Sequence, residues 1–301
     1  MTIDKAISIC KMSKYRPVNT GPDATIRDLM KGGTKDLHDV ADTLVETTLL
    51  RKRMSPQTYG AYLSGLYALY SAMEDEMDRN KEHPFTAPLY FPEETHRKLA
   101  IENDLEYFLG DTWRQQLRHI KSIQRYVDHV HDIGASRPEL LIPHAYVRYF
   151  GDMSGGQILK RILSKLYKLP ADGSGADFYD FSHIAKISDF KNLYSARLND
   201  ISLTQQLKDD LVQEARLAFQ FNIDFLREIV EIAESTPGGY LMPEGGDAIP
   251  ELAQFEQPSK SSAKQSGGWN IFSRFFTTSL FLIGSAVLVA TITKKSGESI
   301  G

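Results

Sequence analysis

The amino-acid sequence predicts an all-α protein, with a single multi-helix domain followed by a C-terminal transmembrane helix. Three observations support this fold class. Apolar residues between positions 25 and 235 recur at the i, i+3, i+4 and i+7 spacing of amphipathic helices. The alternation of apolar and polar residues that is typical of β-strands is almost absent from the same region. Near the end of the 301-residue chain, residues 275–292 form an uncharged run of eighteen residues.

Composition narrows the classes of protein that fit. Hydrophobic residues make up 42% of the chain and charged residues 25%, which excludes wholesale disorder, collagen and a multi-spanning membrane protein. The 35 basic and 39 acidic residues leave no basic excess, so the charge balance points to no nucleic-acid partner. Cys10 is the only cysteine, which excludes an internal disulfide framework and a cysteine-ligated metal site and fits a reducing compartment.

The chain divides into four segments. Residues 1–24 have a mixed composition without an apolar run, and they are interpreted as a loose N-terminal arm rather than a secretory signal. Residues 25–235 carry the helical periodicity. Residues 236–268 are rich in glycine, proline and serine, and this composition predicts a flexible linker. Residues 269–295 contain the apolar run.

The periodicity places the helices of the folded segment. The first helix covers 26–44, and Thr25 followed by Asp28 is a plausible start signal for it. Further helices are expected at 55–79, 92–109, 120–133, 138–169, 187–200 and 202–235. Because no strand is followed by a glycine-rich loop and a helix, a nucleotide-binding α/β fold is disfavoured.

The apolar run predicts a membrane anchor. As a helix, residues 275–292 would be about 27 Å long, close to the thickness of a bilayer core. Trp269 stands before the run at the position of an interfacial aromatic belt, and Arg274, Lys294 and Lys295 flank it. A buried core helix is the alternative, but the run follows a flexible linker and precedes no further domain. We therefore expect insertion after synthesis, with the helical domain in the cytosol.

The most unusual motif is GDMSGGQ at 151–157, which interrupts the helical pattern of 138–169. Each glycine inside a helix costs about 1 kcal/mol relative to alanine, so another interaction must offset three of them. Either a flat ligand lies against the bare backbone, or the helix is kinked or closely crossed. Asp152 is correspondingly either a solvated residue or a partly buried proton handler. The motif lacks the GxxxxGK[ST] pattern of a phosphate loop.

Individual residues of the first two helices leave their roles open. His38 lies beside the apolar stripe of the first helix, where an ordinary half-buried histidine is commoner than a ligand. No HExxH pattern is present, so a metal held by one histidine would need a cofactor such as haem to supply its other ligands. Tyr70 lies on the second helix in a group of tyrosines that fits core packing with hydroxyls at the rim. Lys31, seven residues before His38, is solvated by default.

Four stretches resemble the mammalian-type haem oxygenase family: TKDLH at 34–38, DRNKE at 78–82, APLYFPEE at 87–94 and HAYVRYFGDMSGGQ at 144–157. The resemblance covers about residues 25–230, and the last stretch is a strong family signature. It implies a helical domain that sandwiches haem b, which is both cofactor and substrate. The apolar run near the C-terminus matches the tail anchor of the microsomal members of the family.

The resemblance also implies a set of site residues. His38 resembles the axial ligand of the haem iron, and the helix that carries Gly151, Gly155 and Gly156 resembles the distal wall. Asp152 would hold a water network that delivers protons to the bound oxygen. Three residues match positions that support this network: Tyr70, Arg148 and Asn222.

Further matches lie around the haem propionates and the ring edge. Lys31, Tyr146 and Lys191 match positions near the propionates, and Phe219 matches an aromatic residue of the haem site. Ser195 departs from the family, which has an arginine at that position. Arg197 is kept as a haem-binding candidate, although two residues turn a helix by about 200° and direct it elsewhere unless the backbone adjusts. Because propionate contacts fix the rotation of the ring, this departure bears on which meso carbon is cleaved.

Asp42 stands where the family has a glutamate, which keeps the negative charge at that position.

The activity that the resemblance implies is oxidative cleavage of haem to biliverdin, ferrous iron and carbon monoxide, as part of haem catabolism and iron homeostasis. Dioxygen is the co-substrate. Electrons come from NADPH through a flavoprotein reductase on the same membrane, since the chain has no nucleotide site, and biliverdin reductase is a further expected partner. The endoplasmic reticulum membrane is the expected location. A haem-binding sensor or carrier without turnover is the main alternative, and a tail-anchored adaptor without cofactor leaves the glycines unexplained.

Overall fold

The computed structural model describes residues 24–45 and 53–241, which all lie within one compact unit. These ranges are helical and contain no β-strand, apart from one isolated β-bridge between Met54 and Tyr240. The α-helices are α1 (Ile26–Gly33), α2 (Lys35–Val45), α3 (Pro56–Arg79), α4 (Pro92–Thr95), α5 (Lys98–Leu109), α6 (Trp113–Gln116), α7 (Lys121–Ser136), α8 (Leu141–Asp152), α9 (Gly155–Leu166), α10 (Ile187–Asp200) and α11 (Gln205–Ser235). The all-α prediction is confirmed for this part of the chain.

Three helices begin at side-chain caps that the sequence encodes. The hydroxyl groups of Thr25, Ser55 and Thr204 each accept a hydrogen bond from the backbone amide three residues later. Each cap satisfies one of the amide groups that the first turn of a helix leaves without a partner. The start signal expected at Thr25 and Asp28 is therefore present.

Helix α3 is the centre of the core. It is buried along most of its length and packs against α5 and α7. Its aromatic residues reach neighbouring elements: the rings of Tyr62 and Phe225 stack with their centroids 5.2 Å apart, and Tyr67 meets Trp113 edge-on at 5.2 Å. Such pairs add about 0.5–1.5 kcal/mol each beyond the area that they bury.

Helix α11 is 31 residues long and contacts α1, α2, α7 and α8. It therefore connects the helix that carries His38 (α2) with the helix that carries Asp152 (α8). Its buried residue Arg216 donates to the carbonyl oxygen of Gly33 and, through two nitrogens, to the carboxylate of Asp36 at 2.7 and 2.9 Å. The hydrogen bonds from Arg216 lower the pKa of Asp36 below its usual value. A bidentate pair of this kind fixes direction as well as distance, so it stabilises the junction between α1 and α2.

Three helices that the sequence predicts as continuous are divided in the structure. The first is interrupted at Thr34, whose hydroxyl donates to the carbonyl oxygen of Met30 at 2.8 Å. The helix expected at 92–109 divides into α4 and α5 because the buried carboxylate of Glu74 accepts the backbone amides of Arg97 and Lys98. That contact caps α5 from a residue on α3, which local periodicity does not reveal.

The third division separates α8 from α9 at Met153 and Ser154, inside the helix expected at 138–169. The kink that the glycine motif left open is therefore present.

The described chain ends with a segment that packs on the start of α3. The carbonyl oxygen of Gly239 accepts hydrogen bonds from the amide of Ser55 at 3.0 Å and the hydroxyl of Thr58 at 2.8 Å. Residues 236–241, which the sequence assigns to the linker, are thus hydrogen-bonded to the helical domain. Within the described ranges, no helix combines the length and apolar character required to cross a membrane. Nearly all of the predicted arm, the rest of the linker and the predicted anchor at 269–295 lie outside those ranges.

Candidate functional site

His38 lies on α2, a helix with no buried residue although its sequence is amphipathic. Its Nδ1 atom is 3.1 Å from an oxygen of Asp42, one turn later, and its ring centroid is 5.7 Å from that of Phe219 on α11. Burial disfavours the imidazolium, but the contact with Asp42 outweighs it and raises the pKa of His38. Because Asp42 engages Nδ1, a metal would be bound by Nε2, and the carboxylate would orient the ring.

The glycines of the signature have different surroundings at the break between α8 and α9. Gly151 is exposed, and a Cβ atom placed on it would meet no atom within 4 Å. Gly156 is buried, and a Cβ atom there would lie 2.8 Å from Cδ1 of Tyr179. Gly151 thus leaves open space beside the backbone, whereas Gly156 allows a close approach of Tyr179. Gly155 begins α9 and is half-buried.

Asp152 is the centre of a buried hydrogen-bond network that the structure assembles from three helices. One oxygen of its carboxylate accepts the hydroxyl hydrogen of Tyr70, and the other lies 3.3 Å from Nη2 of Arg148, one turn earlier on α8. Arg148 also donates to Tyr70 at 3.3 Å and to the side-chain oxygen of Asn222 at 2.9 Å. The four network residues named from the sequence are therefore connected, with Arg148 contacting each of the other three.

Burial sets the protonation behaviour of this network. It raises the pKa of Asp152 above the usual value, although the charge of Arg148 and the hydrogen bond from Tyr70 act in the opposite direction. Burial also raises the pKa of Tyr70 well above its usual value. A carboxyl group whose pKa lies above the ordinary range gains and loses a proton closer to neutral pH, as a proton-transfer group must.

Sequence reasoning missed three further members of this network. The hydroxyl groups of Tyr179 and Tyr62 lie near each other, and Arg148 lies close enough to Tyr62 for its positive charge to act against the rise that burial causes in the pKa of Tyr62. Arg97 is close enough for its positive charge to lower the pKa of Asp152. Tyr62 was visible only as one of several tyrosines on α3, and no local signal distinguished it from a core residue.

A group of cations lies where α1, α8 and α10 meet. Burial, followed by the positive charges of Arg27 and Lys31, lowers the pKa of Lys191 to about 8. Lys191 donates to the hydroxyl of Ser154 at the helix break, and Lys31 also acts electrostatically on His38. The hydroxyl of Tyr146 is within hydrogen-bonding reach of the Arg27 guanidinium. The group thus unites Lys31, Tyr146 and Lys191, which the sequence named, with Arg27, which it did not.

Ser195 and Arg197 take no part in this cationic group. Ser195 is buried, and its hydroxyl donates to the carbonyl oxygen of Lys191 at 2.6 Å. Arg197 is exposed and stacks over the ring of Phe91, with its Cζ atom 5.3 Å from the ring centroid. The structure therefore does not bring Arg197 to the other haem-binding candidates. The reason is that positions 195 and 197 face different directions on the same helix.

The residues present fit a flat, iron-bearing ring with two carboxylates. His38 offers an imidazole oriented by Asp42, and the bare backbone at Gly151 leaves room for a planar group. The cationic group fits the carboxylates, and the buried Nε of Arg27 has no hydrogen-bond partner in the described structure. Iron with four ring nitrogens needs only axial ligands from the protein, which one histidine can supply.

Among the described residues, one other cluster has the composition of a metal site: His129, His144 and Glu214. The Nε2 atoms of the two histidines lie 2.5 and 2.7 Å from the same oxygen of Glu214. Ligand atoms on a tetrahedral zinc ion, each about 2.1 Å from the metal, stand about 3.4 Å apart. The distances are those of hydrogen bonds, so this cluster is a buried polar network that joins α7, α8 and α11.

Comparisons with known proteins show which proteins this chain is similar to. The family model described as "Heme oxygenase" matches residues 24–228. Haem oxygenase 2 of Rattus norvegicus is 44% identical over 207 residues, which cover 68% of this chain and 66% of that protein, slightly less than two thirds. Haem oxygenase 1 of Homo sapiens is 40% identical over 215 residues, covering 70% of this chain and 75% of the relative. The crystal structure of haem oxygenase-1 from the cyanobacterium Synechocystis, in complex with haem, is 35% identical with a TM-score of 0.65, covering 70% of this chain and 96% of that one.

The helices of the described residues and the arrangement of the site fit the class of proteins that bind a flat, iron-bearing ring between helices. More specifically, the chain belongs to the haem oxygenase family, because the family model matches more than half of it and relatives are 40–44% identical to it over 207–215 residues.

Proposed function

We propose that this chain is a haem oxygenase that converts haem, dioxygen and electrons into biliverdin, ferrous iron and carbon monoxide. The observation that carries the proposal is the buried network of Asp152, Tyr70 and Arg148 next to the exposed backbone of Gly151. A protein that only carries haem has no need of a proton-handling carboxyl group at that place. Family membership supports the same activity.

In this proposal each part of the site has one task. When bound, haem supplies the iron that activates dioxygen and the meso carbon that is oxidised. His38 holds the ring through Nε2, and Asp42 orients the imidazole. Asp152 holds and releases a proton at its carboxylate oxygens, while Arg148 and Tyr70 fix their direction. Gly151 presents no side chain, so the backbone there would leave the space beside the ring open and place no histidine or arginine in it.

An absorption time course tests the proposal. The full-length chain in detergent receives one equivalent of haemin, followed by a flavoprotein reductase and NADPH in air. We expect the Soret band to disappear and biliverdin to form. A stable complex that is reduced but never degraded would instead identify a sensor or carrier, and failure to bind haemin would refute a haem site altogether.

We further propose that residues 269–295 attach the chain to the endoplasmic reticulum membrane, with the helical domain in the cytosol. The proposal is supported by the length of the uncharged run 275–292 and by Arg274, Lys294 and Lys295 at its ends. Deleting residues 269–301 should release the protein from membranes without loss of catalysis. A truncated chain that still sediments with membranes would contradict the anchor.

The electron donor is the remaining part of the proposal. NADPH would act through a flavoprotein reductase, and a shared membrane face would raise the effective concentration of the two proteins. Biliverdin reductase would consume the product. NADPH alone should leave the haem complex intact, and addition of the reductase should start its degradation. Haem loss with NADPH and no reductase would refute this arrangement.

A further inference from the structure

Arg27 is a polar residue that its own fold leaves incompletely satisfied. It lies in the first turn of α1, half-buried, and its buried Nε has no hydrogen-bond partner in the described structure. Its backbone amide lies 3.4 Å from the side-chain oxygen of Asn199 at the end of α10. The residue is therefore tied to the junction of α1 and α10, and its guanidinium is held there with unused donor capacity.

Two further cations lie near Arg27 in the described part of the chain. Lys31 lies one turn further along α1 and Lys191 faces both residues from α10, close enough for the two positive charges to lower its pKa. Asp28, the next residue along α1, accepts a hydrogen bond from the hydroxyl of Thr25 at 2.7 Å. Three positively charged side chains that face one another attract an anionic ligand to the place where they meet.

The chemistry of this group specifies the anion. A guanidinium with its donors in a fixed fork, two ammonium groups and the hydroxyl of Tyr146 suit carboxylate oxygens. The group borders the helix break, since Lys191 donates to Ser154. No arginine from α10 serves it, because Ser195 bonds to its own helix and Arg197 lies over Phe91.

We propose that Arg27 binds a propionate of haem in this chain and, with Lys31 and Lys191, fixes the rotation of the ring within the site. The proposal rests on the proposed function, because it concerns how the same site orients its substrate. An arginine from α1 thereby takes the place of one from α10. Since rotation of the ring decides which meso carbon lies at the reactive position, Arg27 is a specificity-determining residue.

The test compares Arg27→Gln and Arg27→Lys in the full-length chain in detergent. Arg197→Gln is the matched control, because it removes the same charge from a residue outside the cationic group. Soret titrations are carried out with haemin and with haemin dimethyl ester, which has the same ring and no charged carboxylates. A charge-assisted contact predicts about tenfold weaker haemin binding for Arg27→Gln, less than threefold for Arg27→Lys and none for Arg197→Gln. With the ester, all four proteins should agree within about twofold.

Ring rotation is measured separately from affinity. Proton NMR of the cyanide-bound ferric complex should give one set of shifted haem methyl signals for the wild type and a second, rotated set for Arg27→Gln. The biliverdin isomers should become mixed in the same variant. Unchanged haemin affinity and methyl signals would overturn the proposal, as would equal losses with haemin and the ester, which indicate a structural role. Failure of the wild type to bind or degrade haemin would instead refute the proposed function.

Discussion

Replacing Asp152 by asparagine separates haem binding from proton delivery. The amide keeps the shape of the side chain but loses its negative charge, and one of its two oxygens becomes an NH2 group. That group must face either the Tyr70 hydroxyl or the Arg148 guanidinium, which both contact Asp152 as donors. Haemin binding should remain, because Asp152 is neither the axial ligand nor a member of the cationic group.

The size of the effect follows from burial. The side chains of Arg148 and Asp152 are 13% and 9% exposed, and removal of one partner of a buried pair costs about 3–5 kcal/mol. Arg148 keeps Tyr70 and Asn222 as partners, so we expect the lower end, about 3 kcal/mol. For a domain of this size, that loss lowers the melting temperature by roughly 6–12 °C. Loss of a general acid should slow turnover about 10²–10⁴-fold.

The assay combines a thermal melt, a Soret titration and single-turnover biliverdin formation. Asp209→Asn is the control, because Asp209 is an exposed residue of α11 that accepts a hydrogen bond from Gln205, one turn earlier, and should change none of the three. Tyr70→Phe removes the hydroxyl alone, and the double variant should show a coupling of about 0.5–3 kcal/mol with Asp152→Asn. A wild-type rate and yield of biliverdin from Asp152→Asn would remove this residue from the chemistry.

The other predictions address ligation, packing and pH. His38→Ala should lose turnover and shift the haem spectrum, with partial recovery on addition of imidazole; a wild-type rate without imidazole would refute the axial assignment. Gly156→Ala should lower the unfolding free energy by about 1–3 kcal/mol because its methyl group meets Tyr179 at 2.8 Å, whereas Gly151→Ala should fold normally and weaken haemin binding. Hydrogen bonds from His129 and His144 outweigh the effect of burial and lower the pKa of Glu214 from 4.5 to about 2. The contribution of the Glu214 carboxylate to the stability of the fold is therefore complete above pH 4.5 and is lost as pH falls toward 2. Urea titrations should show a smaller loss of unfolding free energy over that pH range for Glu214→Gln than for the wild type. An equal dependence of the unfolding free energy on pH in the two proteins would contradict this role of Glu214.

The longer helices could be predicted from the sequence because their determinants are local, whereas Tyr70 and Asn222 were placed in the network only by the family resemblance. Apolar periodicity marks the longer helices, and Thr25, Ser55 and Thr204 supply caps within three residues of the amides that they satisfy. Arg148 and Asp152 are one turn apart on the same helix, so their contact is nearly fixed once the helix forms.

Contacts between distant residues could not be predicted in the same way. Glu74 divides a helix that begins eighteen residues later, and Arg27 joins Lys191 only because α1 packs against α10. Neither residue belongs to a local pattern, since a carboxylate or a guanidinium on a helix surface is solvated by default. The function of such residues depends on the tertiary fold that brings them together.

The two sides of the site are built by different means, and this difference determines how each responds to change. The side of Asp152 is buried, and its charged groups satisfy one another, so substitutions there alter the stability of the domain itself. The side of α2 has no buried residue and is held mainly through α11, by Arg216 at its start and by the contact of His38 with Phe219. A ring bound against α2 would bury surface that the protein leaves half-exposed, and burial of apolar surface favours binding. Substitutions on α2 should therefore act on haem affinity more than on folding, which assigns retention of the substrate to one side and its chemistry to the other.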